Sequence, residues 1–363
     1  MKLRWRFGII AGLFLAVFSL YPQMKMIYLR GADWQGHYAY NDIDEVAYAS
    51  YLKALIDGRP RKNDPYTGRD DSADHPQPES LFSIQFAGPY TIAIPARILG
   101  VGAPWAMTLA GALAAFLAAF VIFWFVGMVT GDDWYAMAAG LVVLAGGAMF
   151  AGEGAIGEIL GTGYSYPYFP GFRRYIPAMA FPAFFGLIAL IWRLLDRGPN
   201  DRRSVPSGPQ MLLASGASVC FGYTVFSYFY VWTAAAAWLA CLVLSYLILR
   251  PEGYRRDLNW IFRIGAGCIA FLVPYAYLLS QRSHTMDDVQ LLVMTHAPDL
   301  FRVPEVISYA VVAILMAAAL IGVIELRERS SVFALSLALV PIAVFNQQVI
   351  TGRSLQPIHY ELF

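Results

Sequence analysis

Apolar runs of about 20 residues, bounded by polar or basic loops, recur along the whole of this chain. A helix needs roughly that length to cross the hydrocarbon of a bilayer. The runs fall near 7–23, 104–129, 134–151, 176–195, 210–227, 229–249, 259–280, 305–325 and 331–350. Composition agrees. Of 363 residues, 58% are hydrophobic and 14% charged, against roughly 45–50% and about 25% in soluble domains. The expected fold is an all-α, polytopic transmembrane helical bundle of about nine spans. The run 210–227 meets 229–249 through only a minimal turn, in FGYTVFSYFYVW. Residues 81–101 form a tenth apolar stretch, but Gly88, Pro89, Pro95 and Arg97 mark it as a surface or re-entrant segment.

Alternating spans sort the loops into two sets. TGDDW, RLLDRGPNDRRS, RPEGYRRD and ELRERSS share a side with the N-terminus, and these short loops are mostly rich in arginine. The positive-inside rule makes that side cytoplasmic. The other side receives 24–103, 152–175, 281–304 and 351–363. Lys2, Arg4 and Arg6 precede the first run, and no small-x-small cleavage site follows it, so a retained first helix is expected. The first outer loop has about 80 residues, and a loop that long inside a compact protein is usually functional. One membrane domain, 1–363, with an outer loop at 24–103, is the expected organisation. The chain stops soon after the ninth run, in TGRSLQPIHYELF, so a C-terminally incomplete chain is expected.

Several function classes are disfavoured. Net charge is +1, which gives no field for nucleic acid. Cys220, Cys241 and Cys268 all lie in apolar runs, with neither a disulfide framework nor metal-type spacing. No HExxH pair or Cys/His cluster suggests zinc.

The first outer loop opens with NDIDEVAYASYLKALIDG, from Asn41 to Gly58. It reads as a helix. At ~100° per residue, Ser50, Lys53 and Asp57 share a polar arc. Asp44 falls between Tyr51 and Leu55, and Glu45 between Leu52 and Ile56, on the apolar face. Asp42 followed by Glu45 fits a capping box, which explains Asp42 more readily than Asp44. A carboxylate at the boundary between loop and spans is partly desolvated, which raises its proton affinity and suits a general base.

A basic N-terminus, one span, an outer helix containing DEVAY (Asp44 to Tyr48), then NDPY (Asn63 to Tyr66) and many further spans resemble the GT-C superfamily of membrane glycosyltransferases. Its protein mannosyltransferase and aminoarabinose transferase types are the nearest in pattern. The resemblance implies an enzyme in the membrane, for instance the inner membrane of a bacterium, with its N-terminus cytoplasmic. It would move a sugar from a polyprenyl phosphate or diphosphate carrier to a lipid, glycan or protein acceptor on the outer face, with inversion. Carried over to this chain, Asp44 is the general base, with Asp42 and Glu45 as accompanying acids. Asp42 and Asp44 could also hold Mg or Mn, since hard cations prefer oxygen ligands.

A leaving phosphate needs cationic partners. Arg173 and Arg174, in GYSYPYFPGFRRYIP, precede a span on the outer side and are candidates, as headgroup anchoring would also explain. Arg353, Gln356 and His359 follow the ninth run, and His37 and Tyr48 flank the acids from the first loop. These complete the expected substrate-binding set.

Two non-enzymatic readings compete: a transporter or flippase of lipid-linked sugars, and an anchoring subunit. A lipid-linked glycan ligase of related fold would lean on Arg353 and His359 instead of Asp44. A transporter places ionisable groups in mid-span, whereas here they concentrate in the loops.

Overall fold

A computed structural model describes residues 3–40, 43–146, 175–196, 208–283, 297–352, 354–356 and 360. Seven helices in it are long and apolar enough to cross a membrane: Arg6–Asp33, Ala103–Thr130, Pro177–Leu195, Phe229–Leu249, Tyr254–Ser280, Val303–Leu320 and Arg329–Asn346. The chain is an integral membrane protein built from α-helices. Among the described residues, β pairing is confined to two isolated bridges, Asn63 with Asp70 and Glu79 with Arg282.

The first helix, α1 (Arg6–Arg30), lies antiparallel to α5 (Ala103–Thr130). Two glycines one turn apart permit their approach. A methyl group at Gly8 would stand 2.5 Å from Phe123, and one at Gly12 would stand 2.7 Å from Phe116. Small residues at this spacing let helices nest where lipid gives no hydrophobic drive. Gly12→Leu should therefore force α1 off α5 and cost about 1–3 kcal/mol. Thermal unfolding of the detergent-purified protein checks this. An unchanged midpoint would mean that the contact is loose.

Arg4 closes this end of the pair. Its backbone N–H and its Nε reach the carboxylate of Asp133 at 3.1 and 2.6 Å. Asp133 opens α6 (Asp133–Leu141), which continues as a π-helical turn over Val142–Gly146.

Helix α7 (Tyr175–Leu195) packs against α5 and runs antiparallel to α8 (Gly208–Val225), with Gly186 facing Cys220 and Gly216 facing Leu190. Helices α9 (Phe229–Leu249) and α10 (Tyr254–Ser280) follow. Helix α8 runs parallel to α10, where the Ser218 hydroxyl donates to the carbonyl of Ile264 at 3.3 Å. Then come α11 (Val303–Leu320), α12 (Arg329–Ala338) and α13 (Val340–Asn346), the last two joined through Leu339 into one span. A single turn, α14 (Gln348–Thr351), ends the helical series.

Two of the nine expected runs lie outside the seven. Helix α8 is as long as α11, but its Gln, Gly, Ser and Thr residues lower its hydropathy. Such residues suit a helix covered by neighbours rather than by lipid. The run at 134–151 is described only as far as Gly146, as a short apolar helix.

The helices define two ends. At one, Phe125, Trp192 and Phe333 bring α5, α7 and α12 together, with ring centroids 5.1–6.4 Å apart. Beside them Asp257, 1% exposed, sits between Arg256 at 3.0 Å and Arg329 at 2.9 Å. Arg4 and Asp133 are at this end too.

The opposite end carries the short helices α2 (Ile43–Ile56), α3 (Leu81–Ile84) and α4 (Ala87–Leu99). With 13 residues, α4 spans ~20 Å, short of the ~30 Å core of a bilayer. It buries Ile92, Ala93 and Ala96 and exposes Ile94, Ile98 and Leu99. Thus 81–101 is not a full span, as Pro89 and Pro95 suggested.

Candidate functional site

The link from α1 to α2 is held by one buried amide. Gln23 is 4% exposed. Its side-chain Nε2 donates to the His37 carbonyl, and its Oε1 accepts from the Ala39 N–H, both at 2.9 Å. Trp34 Nε1 donates to the same carbonyl at 3.0 Å and its ring meets Trp105 edge-on. The His37 imidazole is exposed, so this residue contributes structure through its backbone.

Helix α2 buries Ala47, Ala49, Tyr51, Leu52, Ala54 and Leu55, and exposes Val46, Ser50 and Lys53. Both acids lie on the buried arc, as the helical wheel indicates. They differ in depth. Glu45 is 0% exposed, whereas Asp44 is exposed. The expectation that Asp44 is desolvated on an apolar face is therefore corrected. Asp44 and Glu45 share the first turn and differ by a step of about 100° around the axis. Neighbouring elements cover the Glu45 side of the arc and leave the Asp44 side in solvent. Glu45 takes the desolvated place, where burial and the Glu45 charge together raise the Tyr40 phenol above its usual pKa.

Around α2 lies a set of aromatic side chains. Phe82, from α3, packs edge-on or tilted against Tyr48 at 5.5 Å, Tyr51 at 5.4 Å and Tyr66 at 6.1 Å. Tyr48 also lies within electrostatic reach of Tyr230, in the first turn of α9. The Tyr230 hydroxyl donates to Gln356 Oε1 at 3.2 Å, and its ring meets Tyr360 at 5.3 Å. Tyr360 in turn hydrogen-bonds Thr233 at 2.7 Å. Tyr48 and Gln356, more than 300 residues apart in sequence, are thereby brought to the same tyrosine. Tyr230 was not among the expected site residues. Its place at the very start of the run 229–249, beside the connection from 210–227, was the available signal.

The rest of the loop is fastened by an ion pair. Arg61 donates to both carboxylate oxygens of Glu79, at 2.8 and 2.5 Å, and to the Ser83 carbonyl. The Ser83 hydroxyl donates to Glu79 at 2.5 Å, and the Tyr51 hydroxyl to the Arg61 carbonyl at 2.9 Å. Burial pushes the Glu79 carboxyl up. Hydrogen bonds from Arg61 and Ser83, with the Arg61 and Lys62 charges, outweigh it and hold the group below the usual range.

A second buried acid stands at the start of α11. Glu305, 0% exposed, accepts from the Arg302 N–H at 3.1 Å and from Asn346 Nδ2 at 2.8 Å. Arg302 lies over the Phe345 ring, which meets Tyr360.

Asp42, Arg173, Arg174, Arg353 and His359 lie outside the described residues. Among the described residues, no three His, Cys, Asp or Glu side chains gather as a metal site would require. The pair expected to hold Mg or Mn, Asp42 with Asp44, includes one residue outside the described set. Gln347 and Gln348 are engaged locally, with Thr351 at 2.7 Å and the Ala297 carbonyl at 3.4 Å.

Comparison with protein families, with curated proteins and with solved structures finds no match for this chain.

Proposed function

We propose that this protein is a GT-C-type membrane glycosyltransferase that takes a sugar from a polyprenyl phosphate or diphosphate carrier. The observation that carries this reading is the placement of Asp44. It is an exposed carboxylate in the first turn of a helix anchored on the bundle, at the end where Tyr48, Tyr66, Tyr230 and Gln356 converge. That is a suitable site for a base that must meet both a membrane-borne donor and an acceptor from solution.

In the proposed reaction Asp44 removes the proton of an acceptor hydroxyl or amine. The freed electron pair forms a bond to the anomeric carbon. The bond from that carbon to the carrier phosphate oxygen breaks, and the phosphate leaves with its electrons on the opposite face. The configuration inverts. Glu45, with no exposed surface, acts by positioning the helix. Membrane lipids solvate the carrier, and a lipid, glycan or protein serves as acceptor. Arg173, Arg174, Arg353 and His359 remain candidates for the phosphate.

The proposal includes nine spans, with α8 and the 134–151 run completing the seven. It makes the arginine-rich end cytoplasmic, in a bacterial inner membrane, and sets α2 and α4 at the outer membrane face. Cysteine labelling checks the orientation. In a variant with Cys220, Cys241 and Cys268 replaced, Ser50→Cys on the exposed arc of α2 should react in intact cells with an impermeant maleimide applied from outside. Reaction only from the cytoplasmic side would overturn the orientation, and with it the site.

A further inference from the structure

Tyr66 is 72% exposed. A single exposed aromatic needs no explanation. This one is held in place from two directions. Its ring rests edge-on against Phe82, itself 6% exposed and packed against Tyr48 and Tyr51. Its backbone is set by a turn in which Asp64 Oδ1 accepts from the N–H groups of Tyr66 at 2.8 Å and Thr67 at 3.2 Å.

The turn closes where the Gly68 N–H meets the Asp64 carbonyl at 2.9 Å, with Gly68 at φ +70°, a conformation that favours glycine. Arg59 then clasps the returning strand through the Gly68 carbonyl at 2.6 Å and Asp70 at 2.8 Å.

The ring also has a particular neighbourhood. Its phenol is raised above the usual pKa first by partial burial, then by the charges of Asp44 and Asp64. Both carboxylates are thus within electrostatic reach of it. Asp64 is bonded to its backbone, and Asp44 lies one turn before Tyr48, which shares Phe82 with Tyr66. An aromatic surface flanked by fixed carboxylates matches the chemistry of a pyranose. One face of such a ring presents C–H groups that pack on an aromatic, and its rim presents hydroxyls that donate to carboxylates.

We propose that Tyr66 is the stacking platform of a sugar subsite, with Asp44 and Asp64 as hydroxyl acceptors at its rim. The proposal deepens the glycosyltransferase reading by naming the element that would seat the transferred or accepting sugar, and it rests on that reading for its role in transfer.

The test uses the full chain purified in detergent and saturation-transfer NMR. The probes are the methyl glycosides of glucose, mannose, galactose and glucosamine. At least one should receive saturation on its ring C–H protons from the wild type and from Tyr66→Trp. Tyr66→Ala should bind it about tenfold more weakly, as the loss of one aromatic contact implies. No transfer in the wild type, or equal transfer in Tyr66→Ala, overturns the subsite.

The same variants separate this inference from the function it deepens. If Asp44→Asn leaves envelope glycans intact while Tyr66→Ala still loses sugar binding, the subsite stands and the transferase reading falls. If Asp44→Asn abolishes glycan transfer while Tyr66→Ala binds and transfers normally, the transferase reading stands and the subsite falls.

Discussion

Asp44→Asn should lower glycosyl transfer by about 10²–10⁴-fold, the usual contribution of a positioned general base. Asparagine keeps the shape of the side chain and removes its ability to accept a proton. The carboxylate is exposed, and substitutions at exposed positions usually change stability by less than about 0.5 kcal/mol. Membrane abundance and unfolding midpoint should therefore stay at wild-type values. Asp44→Glu should retain part of the activity, because it keeps the base and displaces it by one methylene. Glu45→Ala should behave in the opposite way. It empties a fully buried position, so its main effect should be on stability. A variant pair in which Asp44→Asn unfolds and Glu45→Ala does not would reverse the roles assigned here.

Arg61→Met should have the largest effect on stability. The Glu79 side chain is 6% exposed and Arg61 27% exposed. Removing the cation leaves a buried carboxylate with only the Ser83 hydroxyl and the Lys62 charge to stabilise it. Breaking a buried pair from one side costs about 3–5 kcal/mol, and partial access of water to Arg61 places this case near the lower figure. The loss should appear first in the loop from Arg59 to Ser83, as faster proteolysis. Adding Glu79→Gln should recover much of it, since the buried charge is then gone, and the double-mutant cycle reads the coupling.

The pair also sets a pH dependence. The folded pKa of Glu79 is lowered below an unfolded value of about 4.3. Its contribution is therefore present above about pH 4.3 and is lost as pH falls through the folded pKa. Loop protection that is constant from pH 7 down to pH 3 would contradict the pairing.

The membrane architecture was legible because it depends on the length and apolarity of single segments. Seven runs could be placed without knowledge of their neighbours. The run 210–227 was expected as a span with the others, but as helix α8 it is not among the seven, because its small and polar residues lower its hydropathy. The two acids of α2 show the same limit in a finer form. Periodicity found the arc that carries both, and what distinguishes them is which edge of that arc the neighbouring elements cover.

Long-range polar contacts were less legible still. Arg61 with Glu79, Gln23 with the 37–39 backbone, and Tyr230 with Gln356 are pairings that tertiary structure creates between residues of ordinary appearance. Tyr66 belongs to the NDPY segment, but its exposure and its support by Phe82 arise only where the chain folds back between α2 and α3.

The most direct test of the central claim is mass spectrometry of envelope glycans in the native host. It compares the wild type, a deletion strain, and the deletion complemented with Asp44→Asn at matched membrane abundance. The account predicts that a sugar-bearing species disappears on deletion, returns with the wild-type chain and fails to return with Asp44→Asn. Full restoration by Asp44→Asn would contradict it, leaving the acids of α2 as helix-terminal groups and moving the transporter or anchoring readings ahead.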